Sequence, residues 1–120
     1  MEHSNDFQAV FERLKPILQE YAKDLQVKAD GSSGYSLDSH FSKKYGKELF
    51  FGAVKIEKRY VSYHLMPVYM FPDLLKDISP ALKKRMQGKS CFNFKAIDEP
   101  VFAELSNLTR LCFERFQQNV

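Results

Sequence analysis

ELFFGAVKIEKRYVSYHLMPVY, from Glu48 to Tyr69, decides the fold. Its halves, Glu48 to Ile56 and Tyr60 to Tyr69, are rich in aromatic and β-branched residues and meet at Glu57, Lys58 and Arg59, which predicts an antiparallel pair of strands. In the second half the odd positions Val61, Tyr63, Leu65 and Tyr69 are apolar, while Tyr60, Ser62, His64 and Met66 are mixed. Successive strand side chains point to opposite faces, so one face of this pair packs inward and the other is open.

On either side the chain supplies the rest of a sheet and its cover. Asp30-Gly31-Ser32-Ser33-Gly34 reads as a turn between two short extended pieces, Gln26 to Ala29 and Tyr35 to Asp38, and Ser39 to Lys47 is a polar connection. Downstream, Phe92 and Phe94 alternate with Cys91, Asn93 and Lys95, a strand that joins the same sheet. Pro72 and Pro80 open short helices, FPDLLKD and SPALKKRMQ, the second capped by Ser79 and ended at Gly88. Phe7, Val10, Phe11, Leu14, Ile17, Leu18, Tyr21 and Leu25 form the stripe of an amphipathic N-terminal helix capped by Ser4, Asn5 or Asp6 and interrupted at Pro16. Asp98 caps a C-terminal helix whose stripe is Val101, Leu105, Leu108, Cys112 and Phe116. Each stripe must be buried against a sheet face. The expected fold is therefore a single α+β domain over 1–120, a two-layer sandwich of an antiparallel sheet of about five strands and the N- and C-terminal helices.

Composition excludes several function classes. With 120 residues, 44% hydrophobic and 28% charged, the chain is an ordinary globular domain, and 11 Phe with 6 Tyr give it a core without disulfides or metal. The longest apolar run, LFFGAV from Leu49 to Val54, is about a third of the ~20 residues needed to span a bilayer. No secretory signal is visible in MEHSNDF, so the expected location is the cytoplasm, where Cys91 and Cys112 read as small buried hydrophobes. Gly88-Lys89-Ser90 resembles the end of a phosphate-binding P-loop, but position 83 is lysine where that motif has glycine, and the loop runs from helix into strand. No G-x-S-x-G, H-E-x-x-H or cysteine pair at ligand spacing occurs, which points to a non-enzymatic protein with no cofactor and no dedicated metal site. Among the histidines, His3 reads as disordered, and His64 draws interest because it sits on the mixed strand face between Ser62 and Met66.

Charge is the stronger lead. The net +3 conceals an uneven map: residues 43–59 carry six basic and two acidic residues, a local +4, and residues 83–95 carry Lys83, Lys84, Arg85, Lys89 and Lys95 with no acid, a local +5. Residues 1–30 and 96–120 are each −2, with six acids against four bases and four against two, so the acids concentrate on the terminal helices. If the basic segments converge, Lys and Arg can neutralise phosphates while Tyr60, Tyr45 and Phe92 stack on bases; the alternative is a solvated surface of the kind that keeps sheet edges from aggregating.

RMQGKSCFNF, from Arg85 to Phe94, together with YVSYHLMPVYMFPDLL, from Tyr60 to Leu75, resembles a group of small bacterial proteins and, more distantly, the YdhG-like domain-of-unknown-function family. In that family an N-terminal helix, a β meander with a His-x-x-Pro-like strand end, a Gly-Lys loop into a strand and a C-terminal helix follow in this order. The resemblance implies a compact α+β sandwich, sometimes compared with frataxin, and for one branch an intracellular iron chaperone. His64, Lys89 and Asn93 stand where the family motifs are densest. With Lys84 and Arg85 they form the candidate ligand-binding set, and no catalytic residue is nominated. The expected function is recognition of an anionic small molecule or protein partner through the open sheet face and the loop from Arg85 to Ser90. An iron chaperone and a nucleic acid binder stand as alternatives, and a homodimer would place a second copy on the open face.

Overall fold

The computed structural model describes residues 6–120. His3, Ser4 and Asn5 lie outside the described residues. Elements follow in the order α1 (Phe7–Gln19), β1 (Gln26–Asp30), β2 (Gly34–Asp38), β3 (Phe50–Ile56), β4 (Val61–Leu65), α2 (Met66–Met70), α3 (Pro80–Lys83), β5 (Met86–Gln87), β6 (Cys91–Phe94) and α4 (Glu99–Asn119). The strands form one antiparallel sheet in the order β1-β2-β3-β4-β6-β5. Helices α1 and α4 cover one face. Leu18 of α1 lies against Gly52 of β3, and Phe116, Thr109 and Phe102 of α4 meet Phe51, Tyr63 and Phe94. This is the expected two-layer α+β sandwich, with no described helix long and apolar enough to cross a membrane.

Local chemistry explains the elements. Asp6 caps α1 by accepting from the Ala9 amide at 3.0 Å, and Asp98 caps α4 by accepting from Val101. Helix α1 runs through Pro16, and Tyr21 and Leu25 reach the core from the 3₁₀ turn Ala22–Asp24 and the residues flanking it. The expected stripe of α4 is buried throughout, from Val101 to Phe116.

Four expectations are corrected. The helix expected over SPALKKRMQ ends at Lys83, and Met86–Gln87 leaves it to pair with β6 as the sixth strand of the sheet. Gly88, in the left-handed region at φ 75°, makes that reversal possible. Strand β4 ends at Leu65 rather than Tyr69, since Pro67 has no amide to give a ladder and instead sits in the first turn of α2. FPDLLKD forms only a 3₁₀ turn over Pro72–Leu75. Cys91 is half-buried on the open face, opposite to the core residue Phe92 that follows it, whereas Cys112 is fully buried.

A bulge in β3 sets the division between the faces. Leu37 pairs with Gly52 but Asp38 pairs with Phe50, so Phe51 is an extra residue in the ladder. Phe51 turns into the core, where it is fully buried against Phe116, and Phe50 is turned to the outer face, where its ring meets His64 edge-on at 5.1 Å.

Candidate functional site

Two lateral rows of side chains cross the open face. Ala53, His64, Cys91 and Gln87 stand in register on β3, β4, β6 and β5, and Lys55, Ser62 and Asn93 stand in register beside them. The short side chains at Ala53, Ser62 and Cys91 lie between the longer Lys55, Tyr60, His64 and Gln87, and the step between them is a shallow recess of about 310 Å³, which Glu57 also borders. A second recess of about 530 Å³ adjoins it and shares Tyr60, Gln87 and Asn93. Its other walls are Arg59 from the β3–β4 turn, Lys84 and Arg85 from the end of α3, Met86, and Lys95 after β6.

The second recess is cationic and has no acid in its lining. Arg59, Lys84, Arg85 and Lys95 form no ion pair among the described residues, whereas elsewhere Arg13 pairs with Glu99, Lys15 with Asp30, Lys28 with Glu48, Arg110 with Glu114 and Arg115 with Asp73. Four like charges gathered without counter-charge raise the local concentration of anions and repel one another until an anion arrives.

The first recess is polar and nearly neutral. The His64 Nε2 lies 2.7 Å from the Ser90 hydroxyl, which with the Phe50 edge fixes the ring. Burial holds the His64 pKa below the usual histidine value, so the ring is neutral at neutral pH, with Nε2 engaged by Ser90 and Nδ1 left for a further hydrogen bond. Burial, with a smaller effect of Glu57, pushes the Cys91 thiol up, which keeps it protonated and a poor nucleophile. Asn93 donates to the Gln87 amide oxygen at 2.6 Å across the β5–β6 hairpin. That bond leaves the Asn93 amide oxygen and the Gln87 amide nitrogen to face a ligand. The side chains thus supply donors, acceptors and positive charge, the means of non-covalent recognition.

Of the five residues expected at the site, the structure brings Lys84, Arg85 and Asn93 to the cationic recess and His64 and Asn93 to the polar one. Lys89 lines neither, because the turn at Gly88 carries it to the tip of the β5–β6 hairpin while Lys84 and Arg85 precede β5. Tyr60 is at the junction, as stacking on a ligand requires, but Phe92 is fully buried and Tyr45 belongs to the separate loop between β2 and β3. The sequence does not single out Gln87, since the helical pattern over 79–87 conceals the short strand that presents it. Comparison with protein-family models, curated proteins and solved structures finds no match.

Proposed function

We propose that this protein is a binding module for an anionic ligand, a small molecule or an acidic stretch of a partner, held in the cationic recess next to the open sheet face. The observation that carries the reading is the set of four cations, Arg59, Lys84, Arg85 and Lys95, lining one recess with no acid and no ion pair among the described residues. Guanidinium groups at two of the four corners suit the paired oxygens of phosphate or carboxylate. Calorimetric titration with inorganic pyrophosphate tests it. Charge reversal at Lys84 and Arg85 together should weaken binding by more than about tenfold while changing unfolding free energy by no more than ~0.5 kcal/mol, because both side chains are exposed. Equal binding by wild type and the double variant overturns the reading.

The resemblance to the YdhG-like family adds iron delivery as an alternative. The side chains lend it no support: no group of three or more His, Cys, Asp or Glu among the described residues is arranged to hold a metal ion. Anaerobic titration with ferrous iron decides it.

A further inference from the structure

We propose, resting on the anion-binding reading above, that the ligand is a nucleoside phosphate, with its phosphate in the cationic recess and its base laid across the polar one. The two recesses are contiguous and chemically unlike. One is ringed by Arg59, Lys84, Arg85 and Lys95; the other is floored by Ala53 and Cys91 and edged by Ser62, His64 and the amides of Asn93 and Gln87. A simple anion fills the first and leaves the second to water. A ligand that uses both must join a phosphate to a flat group with hydrogen-bonding edges.

Four features favour a nucleobase for that second part. Tyr60 lines both recesses and is the aromatic side chain at their junction, where a base leaving the phosphate would meet it; stacking of this kind is tolerant of base identity and adds substantially to affinity. The short side chains of Ala53 and Cys91 stand on either side of His64 in one lateral row and leave space beside its ring on the outer face. The Asn93–Gln87 hydrogen bond at 2.6 Å orients both amides and leaves the Asn93 oxygen as an acceptor and the Gln87 nitrogen as a donor for the edge of a base. His64 adds a ring held by Ser90 and kept neutral, able to hydrogen-bond to the base without attracting a second phosphate. Together the recesses lie within the ordinary range for small-molecule sites, about 300–1,000 Å³.

The base can belong to a free nucleotide or to one unit of a single strand, and the chemistry at this site is the same for both. Titrations with pyrophosphate, ribose 5-phosphate, phenyl phosphate, AMP and a short single-stranded oligoadenylate separate the cases. AMP is expected to bind about tenfold tighter than ribose 5-phosphate or phenyl phosphate, and Tyr60→Ala to remove that advantage, lowering AMP affinity by far more than pyrophosphate affinity. Should Tyr60→Ala unfold the protein, Asn93→Ala with Gln87→Ala gives an independent test, expected to lower AMP affinity by more than pyrophosphate affinity. Oligoadenylate binding far tighter than AMP, with a steep salt dependence, supports the inference and assigns the base to a polymer; equal affinities support it and assign a free nucleotide. Pyrophosphate binding with AMP no tighter than ribose 5-phosphate or phenyl phosphate overturns the nucleoside inference and leaves the anion-binding reading standing. If no phosphate compound binds, both fall.

Discussion

Strands β4 and β6 present two faces built from alternate residues of the same short segments. On the inner face Val61, Tyr63, Leu65, Phe92 and Phe94 are at most 1% exposed and packed beneath α1 and α4. On the outer face Ser62, His64, Cys91 and Asn93 are half-buried around the recesses. The charge of the molecule divides in a similar way: the cations of α1 and α4, Arg13, Lys15, Arg110 and Arg115, are paired with acids, while those at the cationic recess form no ion pair among the described residues. Adjacent residues therefore answer to different physics, the inner ones to loss of apolar surface and the outer ones to hydrogen bonding and contact with water. Phe92 and Asn93 give the sharpest test of that division. Phe92→Ala should cost about 3–5 kcal/mol of unfolding free energy in urea titrations, enough to unfold a marginal domain. Asn93→Ala should stay within ~0.5 kcal/mol of wild type and show itself only in ligand binding. Comparable losses from the two neighbours would break the partition between faces.

The faces are coupled where the helix layer comes closest to the sheet. A Cβ at Gly52 would lie 2.9 Å from the backbone oxygen of His64, 3.2 Å from Leu18 and 3.4 Å from Leu65. The backbone of Gly52 is unexceptional, so glycine is required here by space and not by conformation. Gly52→Ala is expected to destabilise by about 1–3 kcal/mol, the usual range for overpacking. Because the obstacle is the His64 backbone, the change should also move amide chemical shifts of Ser62, His64 and Cys91 on the outer face. A stability loss with those shifts unmoved would mean that the strain is absorbed by Leu18 and α1 alone.

Much of the inner face is legible in the sequence, since burial imposes a period: the odd residues of β4, the two phenylalanines of β6 and the α4 stripe all follow from spacing. The sequence marks Lys84 and Arg85 by local charge, His64 by the mixed strand face, and Asn93 only through the family resemblance and its expected exposure. What escapes is what depends on pairing between distant segments. Met86–Gln87 becomes a strand only because β6 offers it a partner, and two residues carry no periodicity of their own. The bulge that sends Phe51 inward and Phe50 outward is set by registry with β2, while the sequence shows only two adjacent phenylalanines. Lys89 is indistinguishable from Lys84 in charge and differs only in which side of the Gly88 reversal it occupies.

The smallest effect sharpens the comparison from the outer side. Burial opposes the protonation of His64 on the outer face, and its pKa lies below that of the unfolded chain. Below about pH 6.5 the unfolded state therefore takes up a proton that the folded state resists, so stability falls as the pH drops through and below that value. The contribution is modest because the ring is only half withdrawn from water. Asp38 works in the opposite direction at lower pH, since burial raises its pKa and the folded state binds its proton more readily. The two are separated by measuring urea unfolding between about pH 7 and about pH 5.5, above the ordinary carboxylate range. His64→Gln, which keeps a hydrogen-bonding side chain beside Ser90 and cannot titrate, should flatten the slope of stability against pH in that window. A slope unchanged by the substitution would locate the titrating group elsewhere and show that the outer face carries no pH-dependent share of the fold's stability.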